Sequence, residues 1–109
     1  MVEPVEDLQE DFRRQLELFY SRLKLTPPYH SVEKAVLWLK TTLNAMDPES
    51  RARVAEDQGL RWAAYSKAFV ESNLHLKHRG IIAGLLRENR ITELPAEHEH
   101  FLKAYRTSS

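Results

Sequence analysis

LRWAAYSKAFVESNLHLKHRGIIAGLLREN, residues 60 to 89, holds no proline, and its apolar residues recur at helical steps from end to end. At about 100° per residue, Trp62, Tyr65 and Phe69 form one stripe, while Leu74, His78, Ile81 and Leu85 form another roughly half a turn away. Two readings fit this phase shift: a helix broken at Ser72-Asn73, the one weak point, or a single helix that buries opposite faces in its two halves. The lack of a strong stop signal favours the continuous helix. A helix of that length spans about 45 Å, more than the width of a compact domain of this size, so part of its apolar surface needs a second chain. The sequence therefore predicts a long amphipathic helix over 60–89 as the axis of the fold, and a homodimer.

Outward from this axis the helical period continues. Val5, Leu8, Phe12, Leu16, Phe19 and Leu23 predict a helix over 5–25 that Thr26-Pro27-Pro28 ends. Its first turns carry Glu6, Asp7, Glu10 and Asp11, where carboxylates favour the positive end of the helix dipole, which explains them without catalysis. Ser31 is the expected N-cap of a helix over 31–46, with Val32, Ala35, Val36, Leu39 and Leu43 as its core stripe and Trp38 beside that stripe, at a boundary. Asp47-Pro48 opens a short helix, 48–57, that Gly59 is expected to close. Leu94-Pro95 opens the last, 95–106, with the stripe Leu94, His98, Phe101, Leu102 and Tyr105, and the tail Thr107-Ser108-Ser109 is expected to fray. No segment alternates as a strand does. The expected fold is all-α, a helical bundle of four to five helices forming a single domain over 1–109.

Composition narrows the function. The 109 residues carry 16 Lys plus Arg against 16 Asp plus Glu, so no overall field recruits nucleic acid or an anionic membrane. The charge is unevenly shared: residues 1–58 hold 11 acids and 8 bases, residues 59–109 hold 5 acids and 8 bases, which suits mutual attraction of the halves or an acidic partner. The absence of cysteine excludes disulfides, thiol catalysis and the common structural zinc sites. The acidic opening MVEPVEDLQEDF does not read as a signal peptide and no apolar run reaches membrane length, so a cytoplasmic protein with no membrane contact is expected.

Chemistry-bearing patterns are few. On a continuous helix Lys77, Arg79, Arg87 and Arg90 share one side with Gly80 and Gly84, a basic face for nucleic acid or an acidic partner, yet no preceding helix-turn element accompanies it. Glu71, His75 and His78 share a helical side, and Glu97-x-x-His100 pairs a carboxylate with an imidazole. Helical di-iron bundles need two such motifs and two further glutamates, so neither metal nor cofactor is expected. Leu76-Lys77 followed by His78-Arg79-Gly80 departs from the order around the active histidine of phosphotransfer bundles. No nucleophile elbow or phosphate-binding loop occurs, and no enzyme activity is expected.

What remains is a protein–protein interaction module. Phe12, Phe19, Trp62, Tyr65 and Phe69 are the candidate partner-binding anchors, because aromatics dominate the energetics of interfaces. In size and helicity the chain resembles the small helical antiactivators that sequester transcription factors, which implies occlusion of a partner by a helical surface. The alternatives are a DNA-binding regulator using the basic face of helix 74–90 and a metal-binding bundle.

Overall fold

The stretch from Leu60 to Asn89 is divided. In the computed structural model, which describes residues 4–106, a helix over Gln58–Glu71 gives way to a 3-10 turn over Leu74–Leu76 and then to a separate helix over Arg79–Arg87. Asn73 makes the break with a left-handed backbone, φ 63° and ψ 18°, a conformation that asparagine tolerates better than most residues. Its N–H donates to the Val70 carbonyl and the Ser72 hydroxyl donates to the Phe69 carbonyl, so the helix end is satisfied internally.

This corrects the continuous helix expected over 60–89, and the physical reason is the phase shift itself. A straight helix would bury one stripe and leave the other in water. The break lets Trp62, Tyr65 and Phe69, then Leu74 and Ile82, enter one core. Ile81, expected in the second stripe, is instead 53% exposed. The length argument for a second chain lapses with the long helix.

Six α-helices and no strands occur among the described residues: α1 Pro4–Arg22, α2 Tyr29–Asn44, α3 Pro48–Glu56, α4 Gln58–Glu71, α5 Arg79–Arg87 and α6 Glu99–Arg106. The number exceeds the expected four to five because the stretch 60–89 yields two. α1 stops three residues short of its expected end, where Lys24 turns left-handed at φ 59° and the Leu25 N–H returns to the Tyr20 carbonyl at 2.9 Å. α2 starts two residues early: the Pro28 carbonyl accepts the Val32 N–H, and Ser31 lies inside the helix rather than at its cap. Asp47 and Pro48 open α3 as the sequence predicts. Gly59 does not close it; Asp57 does, and its Oδ1 accepts the Leu60 N–H at 3.1 Å to open α4. A 3-10 turn over Ala96–His98 leads into α6. The tail at 107–109 lies outside the described residues.

α1 packs on α2 and α3, α4 on α2, α3 and α6, and α5 on α6. Aromatic rings fill the space these helices enclose. Phe12 stacks on Tyr65 with ring centres 4.9 Å apart, and Phe69 lies 5.0 Å from Phe101 and 5.7 Å from Tyr105. Among the described residues no helix is long and apolar enough to cross a membrane.

Candidate functional site

The five aromatic anchors expected from the sequence all fall in this core. Phe12, Phe19, Tyr65 and Phe69 are fully buried and Trp62 is 5% exposed. They bind helices of one chain to each other, because the stripes of α1 and α4 face one another and α6 closes over them.

The basic face is also divided. Lys77 precedes α5 and Arg90 follows it, so only Arg79 and Arg87 belong to one helix, and Arg90 pairs with Glu88 at 3.2 Å. With nine residues, α5 spans about 13 Å, and the continuous helix 74–90 that aligned the four cations for DNA does not form. The histidines take structural places: His75 lies 6.4 Å from the Phe69 ring, His78 lies 5.3 Å from Tyr20, and His100 stacks on Trp62 at 5.7 Å. Among the described residues no three His, Asp or Glu side chains converge on a possible metal position.

Two surface recesses bring together side chains from different helices. The first, about 580 Å³, runs between α2 and α4 and is lined by Leu37, Trp38, Thr41, Thr42 and Ala45, with Lys34 and Lys67 at its rim. Leu37 is 60% exposed, on a helix whose opposite stripe is core. The Thr41 and Thr42 hydroxyls donate to the Leu37 and Trp38 carbonyls of their own helix, so the wall presents few free donors. Neither lysine makes an ion pair among the described residues, whereas Glu33, the acid beside Lys34, is taken by Arg13 at 2.9 Å.

The second recess, about 260 Å³, is polar and lies where α1, the start of α4 and the turn before α6 meet. α1 supplies Asp11, Gln15 and Arg22, α4 supplies Arg61 and Trp62, and the turn supplies Glu97 and His98. A hydrogen-bonded chain runs through it. Tyr65 donates to Asp11 Oδ2 at 2.7 Å, Arg14 donates to Oδ1 at 2.6 Å, and Gln15 Oε1 lies 3.4 Å from His98 Nε2. Burial pushes the Asp11 carboxyl up, but the hydrogen bonds from Tyr65, Arg14 and Gln15 and the charge of Arg14 outweigh it and hold the group below 3.8. Burial, then the Asp11 carboxylate, drives the Tyr65 phenol far above 10, so it remains a donor. His98 is 1% exposed, and burial followed by the charge of Arg22 lowers it below 6.5 against the opposing pull of Glu97. Its Nδ1 and the Nε of Arg61 are both buried without a hydrogen-bond partner.

The chain matches no family model, no curated protein and no solved structure.

Sequence reasoning missed the polar recess because its members are far apart in the chain, with Gln15 and His98 separated by 83 residues. The groove did leave a signal. Leu37 and Trp38 stand outside the stripe of Val32, Ala35, Val36, Leu39 and Leu43, and only the boundary position of Trp38 was read from it.

Proposed function

We propose that the protein is a non-enzymatic interaction module, a small regulator or adaptor that takes up an amphipathic helix of another protein in the groove between α2 and α4. The observation that carries this reading is Leu37, held 60% exposed beside the half-buried Trp38 on an apolar wall. Full burial of a leucine contributes about 1.5–3 kcal/mol, so the pair can anchor a helix laid along the groove. Lys34 and Lys67, without an ion pair among the described residues, set the chemistry of that helix: apolar residues on one face and carboxylates along its flanks. Opposite charges at the rim orient the encounter more than they tighten it. A partner helix held in this way is withheld from its other contacts, the occlusion that antiactivators use.

A synthetic helical peptide with leucines on one face and flanking glutamates tests the reading. In a titration followed by amide NMR, signals of α2 and α4 around Leu37 and Lys67 are expected to shift saturably, with an affinity that falls as salt rises. Leu37→Asp is expected to abolish the shifts at unchanged helicity. Equal binding of a lysine-flanked peptide, or shifts elsewhere on the surface, overturns the proposal. Sedimentation equilibrium supplies the other outcome: self-association abolished by Leu37→Asp assigns the groove to a second copy of the chain and replaces this reading with the homodimer.

A further inference from the structure

We propose that the polar recess between α1, α4 and the turn before α6 binds a small monocarboxylate, whose carboxylate meets the guanidinium groups of Arg61 and Arg22 and whose apolar body lies against Trp62 and Leu18. The site is separate from the α2–α4 groove and does not depend on a protein partner.

Charge selects a single negative charge. Asp11 is satisfied by Arg14 and Tyr65. That leaves Arg22, Arg61 and Glu97 as the charged groups of the recess without an ion pair among the described residues, a net charge of about one positive. A phosphate dianion would face the Glu97 carboxylate with one positive charge too few, whereas a carboxylate is matched.

Donor geometry selects a planar anion. Arg22 Nη1 donates to the Glu93 carbonyl at 3.3 Å and Arg61 Nη2 to the Ala55 carbonyl at 3.3 Å, weak tethers that position each guanidinium and leave its other donors. The Arg61 Nε is buried without a partner, a cost to stability that is relieved only if the side chain turns to bring it to the ligand, so the Nη groups make the first contact. A guanidinium offering two parallel N–H groups matches the two oxygens of a carboxylate.

Size limits the rest of the ligand. At about 260 Å³ the recess is smaller than an ordinary metabolite pocket of about 300–1,000 Å³, and it takes one ring or a short branched chain. Trp62 supplies an aromatic wall on one side, and Leu18, 43% exposed, stands at the mouth.

Benzoate is the probe, followed by amide, indole and guanidinium NMR of the full chain with inorganic phosphate as the control anion. Saturable shifts are expected at the Trp62 indole, the Arg61 Nε–H and the Gln15 side-chain amide, with none of comparable size from phosphate. Arg61→Gln is expected to weaken benzoate by about tenfold or more, and Glu97→Gln to tighten it severalfold, a gain that a purely structural role for Glu97 would not produce. Leu37→Asp is expected to leave it unchanged. Absence of saturable shifts at millimolar benzoate, equal response to phosphate, or undiminished binding by a folded Arg61→Gln variant overturns the proposal.

Discussion

The Tyr65 hydroxyl donates to Asp11 Oδ2 at 2.7 Å and joins α4 to α1 across 54 residues of chain. The same carboxylate takes Arg14 and approaches Gln15, whose Oε1 lies 3.4 Å from the buried His98. One acid in the third turn of α1, which the helix dipole alone seemed to explain, thus links the core stack of Phe12 and Tyr65 to the polar recess.

Tyr65→Phe removes that donor while keeping the ring, and is expected to cost about 1 kcal/mol, less than a fully buried charged bond because the Asp11 side chain is still 21% exposed. The folded-state value of Asp11 is depressed, so its contribution is complete above 3.8 and is lost as pH falls through the depressed value. The stability gap between wild type and variant is therefore expected to narrow below pH 3.8, as read by urea unfolding at a series of pH values.

His98 is also depressed, by burial first and by Arg22 second. Its neutral form stabilises the fold fully above pH 6.5, and this contribution is lost as pH falls from there through the lowered value, since the unfolded chain takes up the proton first. His98→Gln keeps a polar group near Gln15 but does not titrate. Its melting temperature is expected to fall less than that of wild type between pH 7 and pH 5.

Core and surface apolar residues are expected to separate cleanly under truncation. Phe69 has Phe19, Phe101 and Tyr105 around it within 6.3 Å, and Phe69→Ala is expected to cost about 3–5 kcal/mol. Leu37→Ala, on the open wall of the groove, is expected to stay within about 0.5 kcal/mol. Denaturant midpoints of the two variants check both. A large loss at Leu37 would show that the groove is part of the core.

Lys24 occupies a left-handed position at the end of α1 that glycine adopts without a Cβ penalty. Lys24→Gly is expected to stabilise by up to about 1 kcal/mol, the relief of strain exceeding the added freedom of the unfolded chain. Chemical denaturation measures the shift.

Gly84 in α5 has ordinary helical backbone, and a Cβ there would meet nothing nearer than an Arg87 nitrogen at 3.9 Å. Gly84→Ala is accordingly expected to stabilise by about 0.5–1 kcal/mol. Loss of stability instead would reveal a close approach at this face.

The period of 3.6 residues fixed most of the local structure. The stripes of α1, α2 and α6, the Asp47-Pro48 start and the absence of strands among the described residues are all consequences of side-chain spacing and caps, and each is readable without knowing what lies opposite. The half-turn slip between Trp62–Tyr65–Phe69 and Leu74–His78–Ile81–Leu85 was visible as well, but its outcome depended on where the core lay. A stripe records which residues leave water and not the surface that receives them. Only packing decided that the left-handed Asn73 brings Leu74 and Ile82 into the core of Trp62, Tyr65 and Phe69 while Ile81 stays outside, that the five aromatics are interior, and that Leu37 is exposed. The link from Asp11 through Gln15 to His98 belongs wholly to the tertiary structure, because polar side chains that meet from distant helices leave no period in the chain.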